Sequence, residues 1–485
     1  MTPRAERATV LDVRGLGVER PGGVRPLRSV ELRVRAGECV VVVGSSGSGK
    51  TTLLRALLGL LPRSARVTGS ALVGGTEVVG AQERTLRRLR GGTVGYVGQD
   101  PFASFDPLRS VGHHVAEAWR ARGGAPPDGA AVARLAALGI ADAAVRARHR
   151  PHAWSGGMLQ RASIAAAGAH GPLLTLADEP TSALDAELAD DVLAALRRDS
   201  GALLMVSHDL RLARTVADRI AVLHEGRIVE DGPAADVLGR PAHPATVALV
   251  EALPRPRAAA RRTPPGGPPV LSARGLTRRY PGAGTVLAGL DLDVRAGEFV
   301  ALTGPSGVGK STALRLLAGV ERPDAGELRH AGGPVWRDGR RWSPRGGWVM
   351  PVHQDPRAGL DPRWPVWRTL AEPGGPRRRA DALAAARAAL DAAGLTGVDP
   401  RARPGELSTG QCQRVAILRA LAARPALIVA DEPTSALDTV TAAAVLRLLR
   451  AAADAGAALL VVSHDTALMS RAADRVVRLP VRTPD

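Results

Sequence analysis

Short uninterrupted apolar runs recur along the chain and divide it into two similar halves. In the first half they are Val40–Val43, 173–177 and the run ending at Val206; in the second, Val300–Leu302, 426–430 and the run ending at Val462. Runs this short, bounded by Gly, Asp, Glu or Ser, read as strands, since a helix needs ten residues or more. In both halves the first run passes through a glycine-rich loop into a helical pattern. Residues 14–50 align without a gap onto residues 274–310, an offset of 260, and both copies contain Val-Arg-Ala-Gly-Glu (34–38 and 294–298). Between the copies, 254–269 is rich in Pro and Arg and has neither helical nor strand periodicity, so it reads as a semi-extended linker. The pattern predicts two domains of one fold, 1–253 and 270–485, joined by that linker.

The glycine loops are the first candidates for chemistry. One is Gly44, Ser45, Ser46, Gly47, Ser48, Gly49, Lys50, Thr51, followed by Thr52. The other is Gly304, Pro305, Ser306, Gly307, Val308, Gly309, Lys310, Ser311, followed by Thr312. Each fits G-x-x-x-x-G-K-[ST], whose glycines let backbone N–H groups curl onto phosphates at the positive end of a helix. Lys50 and Lys310 are the chain's two lysines; the other 63 Lys/Arg residues are arginine. A compact ammonium on a flexible stem does what a planar guanidinium fork does not. Lysine kept at these two positions alone points to a requirement for it there.

Four further elements follow in the same order in each half. Gln99 and Gln354 each open a Gln-Asp-Pro segment. Ser155-Gly156-Gly157 and Ser408-Thr409-Gly410-Gln411 each form a turn that opens a helix. Asp178-Glu179 and Asp431-Glu432 end apolar strands, 23 residues after Ser155 and Ser408, and both continue as Pro-Thr-Ser-Ala-Leu-Asp. His208 and His464 follow the last apolar run, 158 and 154 residues after the lysines. An isolated Asp-Glu pair is commonly a solvated strand end; this spacing, repeated, makes it a site.

Bulk composition excludes several classes. Apolar residues are 45% and charged residues 23%, as in ordinary folded domains. No uncharged apolar run approaches the ~18 residues of a membrane span, and the N-terminus lacks an apolar signal core. Two cysteines, Cys39 and Cys412, imply neither a disulfide framework nor a zinc or iron–sulfur cluster. The net charge of +18 invites a nucleic-acid reading, but the arginines are scattered and aromatic residues make up 2%, which leaves little for stacking bases. No nucleic-acid partner is expected.

The full set of motifs resembles the ATP-binding-cassette ATPases, twice over and across nearly the whole chain. The resemblance implies an α/β fold: two tandem ABC-type nucleotide-binding domains, each a P-loop NTPase core with an antiparallel β subdomain and a helical signature subdomain. It implies ATP and Mg²⁺ as ligands. Lys50 and Lys310 would meet the β/γ-phosphates, and Thr51, Ser311, Asp178, Asp431, Gln99 and Gln354 would serve the metal through ATP and water. Glu179 and Glu432 would act as general bases, with His208 and His464 reaching the γ-phosphate. The signature turns would face the other half's nucleotide. Tyr280 occupies the place of a base-stacking aromatic. The first half has Arg20 instead, and Thr409 replaces a signature glycine, so the resemblance implies unequal sites.

The Gln-Asp-Pro…Asp-Pro segments and the 226–254 tail resemble the oligopeptide/dipeptide/nickel importer subfamily. That implies two separate membrane permease subunits, an extracytoplasmic solute-binding protein, and a peripheral location on the cytoplasmic face of the membrane. Segments 100–154 and 355–407 would form helical subdomains that receive the permease. Trp364 and Trp367 are candidates for that groove or for ordinary packing; His113-His114 reads as a solvated or packed pair rather than a metal site. An exporter's ATPase pair, or a soluble twin-cassette protein acting on ribosomes or DNA, are the alternatives.

Overall fold

The computed structural model describes residues 7–181, 186–253, 266–282, 284–305, 307–375, 378–435 and 437–480. It divides into two units, Met1–Leu253 and Pro254–Asp485. Most of the predicted linker, and part of each Pro-Thr-Ser-Ala-Leu-Asp segment, lie outside the described residues.

The first unit opens with β1 (Thr9–Glu19), β2 (Leu27–Arg35), β3 (Cys39–Val43), α1 (Lys50–Leu57), β4 (Arg66–Val73) and β5 (Thr76–Glu77). Then come α2 (Glu83–Arg88), β6 (Val94–Val97), α3 (Val111–Arg120), α4 (Ala130–Ala137), α5 (Ala143–Arg146) and α6 (Gly156–Gly168). It ends with β7 (Leu174–Asp178), α7 (Ala186–Arg198), β8 (Leu203–Ser207), α8 (Leu210–Val216), β9 (Arg219–His224), β10 (Arg227–Pro233), α9 (Ala234–Gly239) and α10 (Pro244–Glu251).

Two sheets result. The antiparallel one has the order β2-β1-β4-β5, and the larger one β10-β9-β3-β8-β7-β6. In the larger sheet β9, β3, β8, β7 and β6 run parallel, and only the edge pair β10–β9 is antiparallel. Parallel strands covered on both faces read as unbroken apolar runs, which is why Cys39–Val43 and Leu203–Ser207 carry no polar alternation and are buried at every residue. The antiparallel sheet turns one face inward. Val10, Leu11, Val13, Leu16 and Val18 of β1 join Leu53, Leu54 and Leu57 of α1 and Leu174, Leu176 and Leu204 of the parallel sheet in one core.

The second unit repeats the plan with β11 (Pro269–Tyr280), β12 (Gly284–Arg295), β13 (Phe299–Thr303), α11 (Lys310–Leu317), β14 (Ala325–His330) and β15 (Gly333–Pro334). A two-stranded ribbon, β16 (Trp336–Arg337) with β17 (Arg340–Arg341), stands where the first unit has α2. β18 (Val349–Val352), α12 (Val366–Ala371), α13 (Arg379–Ala392), α14 (Thr409–Ala422), β19 (Leu427–Asp431), α15 (Thr439–Asp454), β20 (Ala458–Val462), α16 (Thr466–Ala472) and β21 (Arg475–Arg478) complete it. Its sheets are β12-β11-β14-β15 and the all-parallel β18-β19-β20-β13-β21. The helices between glutamine and signature pack on their own small core, which includes Val366, Leu370, Leu390, Leu407 and Val415. Trp367 packs against it, and Trp364 and Trp367 are each half-exposed, under the guanidinium groups of Arg368 and Arg379 at 4.3 and 5.7 Å.

Leu176, on β7, is fully buried between the layers of the first unit. Leu176→Ala is expected to lower that unit's unfolding free energy by about 2–5 kcal/mol, read as a lower urea midpoint.

Candidate functional site

Strand order brings the motif residues together. In the first unit β3, β8, β7 and β6 are successive neighbours, and each releases one motif from its carboxyl end. β3 leads to the Gly44–Lys50 loop, β8 to His208, β7 to Asp178-Glu179, and β6 to Gln99. In the second unit β13, β20, β19 and β18 do the same for Gly304–Lys310, His464, Asp431-Glu432 and Gln354. Loops at the carboxyl end of a parallel sheet are where open α/β folds bind ligands.

Each glycine loop leads directly into a helix. Gly49 and Gly309 sit immediately before the helix at φ 110° and 99°. A Cβ on Gly49 would stand 2.3 Å from the Pro26 carbonyl oxygen, so the position admits nothing larger. Lys50 Nζ donates to the Gly44 and Ser45 carbonyls (2.7 and 2.9 Å), and Lys310 Nζ to those of Gly304 and Pro305 (2.8 and 2.9 Å). The lysine thus folds back over its own loop, curling the backbone around the ammonium. Thr52 and Thr312 are buried on the first turn of each helix. Ser306 falls outside the described residues.

Each acidic pair splits into two environments. Asp178 is buried, and burial raises its carboxyl above the ordinary range against a Thr51 hydrogen bond that lowers it. Burial does the same at Asp431, opposed by Ser311, whose Oγ lies 3.4 Å from Oδ1. The glutamates turn the other way. Glu179 and Glu432 have φ of 48° and 44°, the left-handed region that side chains rarely adopt. Their amides hold the turn by donating to the Val206 and Val462 carbonyls at 3.0 and 2.9 Å. The kink aims each carboxylate at the histidine of the neighbouring strand: His208 Nδ1 lies 2.9 Å from Glu179 Oε1, and His464 Nδ1 3.2 Å from Glu432 Oε1. Gln99 and Gln354 Nε2 each approach the second glutamate oxygen at 3.4 Å.

The pairing sets the charges. At Glu179 burial favours the neutral acid, but the His208 hydrogen bond and charge, with Lys50 nearby, hold the carboxyl below its usual range. At His208 burial favours the neutral ring, and Glu179 outweighs it and raises the pKa. In the second unit the pairing is the leading influence on both partners, lowering Glu432 and raising His464 against burial.

The signature turns open α6 and α14, and their side-chain hydrogen bonds are local. Ser155 Oγ accepts from the Met158 amide, and Ser408 Oγ from the Gln411 amide, each at 3.3 Å. Gln411 Oε1 accepts in return from the Ser408 amide (2.8 Å), a reciprocal cap that Met158 has no oxygen to make. Thr409 is exposed on the first turn of α14; Gly156 is half-exposed and packs within reach of the Phe102 ring. His113 and His114 both pair with Glu117 (3.3 and 3.5 Å), and His114 meets the edge of Phe105. A cavity of about 580 Å³ lies elsewhere in the first unit, lined by Thr93, Arg122, Arg198 and Gly201, and takes in none of the motif residues.

Several contacts were not readable from the motifs. Arg20 Nη2 donates to Thr52 Oγ1 (3.1 Å), tying the first unit's odd arginine to the helix behind the glycine loop. Tyr280 is held by Glu321, 41 residues away in sequence. Arg357 Nη2 donates to the Leu407 carbonyl (3.0 Å), joining the segment after Gln354 to the signature turn. Nothing in the local sequence marks Glu321 or Leu407 as partners.

A lysine-bearing glycine loop, an acidic strand end and a histidine on adjacent parallel strands define a P-loop ATPase. The sequence pattern of the family described as ABC transporter matches residues 27–182 and 287–435. The chain belongs to that family: it is a twin ABC ATPase, binds and hydrolyses ATP, and is related to importer ATP-binding subunits. It is 33% identical to the oligopeptide transport ATP-binding protein OppD of Mycobacterium bovis, over 93% of this chain and 90% of that protein. It is 32% identical to the glutathione import ATP-binding protein GsiA of Salmonella typhi, over 96% and 84%. Among solved structures, RNase-L inhibitor shares the fold, with a TM-score of 0.65 at 21% identity over 95% of this chain and 87% of that one. Among the described residues no helix is long and apolar enough to cross a membrane.

The raised histidines stabilise the fold fully below about pH 6.5, their ordinary value, and that contribution is lost as pH rises through the folded-state value. The lowered glutamates contribute above about pH 4.5 and lose their effect as pH falls through theirs. The ion pairs are therefore best formed between those limits. Imidazole NMR titration of the nucleotide-free protein should place both histidine midpoints above 6.5. Each should fall in Glu179→Gln or Glu432→Gln; unchanged midpoints would remove the pairing.

Proposed function

We propose that this chain supplies both ATPases of an importer, energising two separate membrane permease subunits fed by an extracytoplasmic solute-binding protein, with peptides as the cargo class. The observation that carries the reading is the complete set of strand-end groups in both halves, in a chain similar along nearly its whole length to oligopeptide and glutathione import ATPases. One relative's name gives oligopeptides and the other's glutathione, itself a tripeptide; nickel and other small solutes stand behind them. The loop after Gln99 supports permease docking, because Phe102 and Leu108 are 53% and 74% exposed on the same stretch that touches the signature turn. Large apolar side chains grouped on a surface mark an interaction site. Such a chain works at the cytoplasmic face of the membrane.

In this reading Lys50 and Lys310 exchange their loop carbonyls for the β/γ-phosphates, cradled by residues 44–52 and 304–312. Glu179 and Glu432 release their histidines and polarise the attacking water, while Gln99, Gln354, His208 and His464 monitor the γ-phosphate. Thr51 with Asp178, and Ser311 with Asp431, offer a hydroxyl and a carboxylate already in contact, the hard oxygen donors that Mg²⁺ takes, and Gln99 and Gln354 complete the set. The bound ion would neutralise phosphate charge. Ser155–Gly157 and Ser408–Gln411 present helix N-termini suited to an anion.

The halves are unequal. Tyr280 offers a ring for the base, whereas Arg20 is already committed to Thr52. Base–aromatic stacking is worth about 1–3 kcal/mol, so the first half should bind nucleotide on the order of tenfold more weakly. Glu432→Gln is accordingly expected to lower ATP turnover more than Glu179→Gln, and Lys310→Ala to abolish ATP-driven peptide uptake in cells carrying the permease. Equal residual rates in the two glutamine variants would mean equivalent sites. Tight, salt-sensitive binding of the purified chain to duplex DNA or ribosomes would favour the soluble twin-cassette alternative.

A further inference from the structure

The end of β11 is gripped by the loop after α11 in a way the first unit does not reproduce. Tyr280 Oη donates to the Glu321 carboxylate, 2.7 and 2.8 Å from its two oxygens. Arg278 Nε donates to Glu321 Oε1 (2.6 Å) and its Nη1 to Asp324 Oδ1 (2.9 Å), while the Arg279 amide donates to Asp324 Oδ2 (2.6 Å). Arg315, on α11, donates to Glu321 Oε2 (3.2 Å), to Tyr280 Oη (3.3 Å) and to Thr312 Oγ1 (3.3 Å), two residues past Lys310. The Arg278 guanidinium carbon sits 4.9 Å from the centre of the Tyr280 ring, covering one face. Burial opposes charge on Glu321, but the Tyr280 hydroxyl, Arg315 and Arg278 outweigh it and keep the carboxyl below its ordinary range.

One carboxylate thus anchors the phenol, the cation over the ring, and the helix that follows the phosphate loop. A tyrosine side chain on a strand end has two free torsions, and tying its tip removes the freedom that binding would otherwise have to remove. With Arg278 on one face, a single face is left for a base, and the cation opposite strengthens a cation–π–base sandwich. At the corresponding positions the first unit has Val18, Arg20 and Leu61, none of which can build this anchor.

We propose that Glu321 is a positioning residue of the second nucleotide site: through Tyr280, and with Arg278, it pre-orders the ring on which the purine base stacks. The proposal rests on Tyr280 facing the base, as read above. The test uses the full chain with Lys50→Ala, so that binding is read at the second half, with a fluorescent N-methylanthraniloyl ATP as probe and thermal melting as the folding check. Tyr280→Ala should weaken binding by on the order of tenfold. Tyr280→Phe and Glu321→Ala should each weaken it severalfold, and the two combined should do no worse than either alone. Glu321→Gln, which keeps an acceptor oxygen, should recover most of the loss, and in the Lys50 protein KM should move while kcat holds. Wild-type affinity in both Glu321→Ala and Tyr280→Phe, with Tyr280→Ala impaired, would overturn the anchor but leave the stacking reading standing. Wild-type affinity in Tyr280→Ala would overturn both.

Discussion

Parallel pairing of four neighbouring strands is the constraint on which each half depends. A parallel sheet sends all its strands out at one edge, so residues as distant in sequence as Lys50, Gln99, Glu179 and His208 emerge side by side. Such strands must be covered on both faces, and the structure supplies α helices and an antiparallel sheet for the purpose. The apolar runs are therefore the same feature as the site, seen from the core side. Slipping one strand by a residue would both expose its buried side chains and misplace its motif.

The second common thread is that the charged groups at the strand ends are held by partners within their own unit. The lysines sit on loop carbonyls, the glutamates on histidines, and Thr51 and Ser311 on aspartates. Buried charges need such partners, since an unpaired one is costly to desolvate. The strained φ of Glu179 and Glu432 belongs to the same picture, because it brings each carboxylate to the histidine of the adjacent strand.

Much of this was legible in the sequence, because it is carried by short local signals. Fixed spacing from Ser155 to Asp178 and from Ser408 to Asp431, glycines that only a tight loop demands, and apolar runs ending in acids are all readable by position. The repeat followed from them, and the fold class from the family resemblance that the motifs carry. What stayed hidden depends on contacts across the fold. The Glu321 anchor of Tyr280, the Arg20–Thr52 bond and the Arg357–Leu407 strut join residues whose neighbourhoods carry no marker. The histidines illustrate the limit from another side: their position was predictable, but their engagement with glutamate depends on a backbone kink that no residue type announces.

The scarcity of lysine reaches beyond the phosphate loops. Both ε-amines are buried and hydrogen-bonded, and every other Lys/Arg residue in the chain is an arginine. Guanidinium groups do not lose their proton in the accessible pH range and are not substrates for amine acylation. The positive charge of the protein's surface is therefore fixed, beyond the reach of acetyl transfer and of isopeptide tagging through side-chain amines. A reagent that acylates amines would find, among side chains, two protected targets, one in each glycine loop.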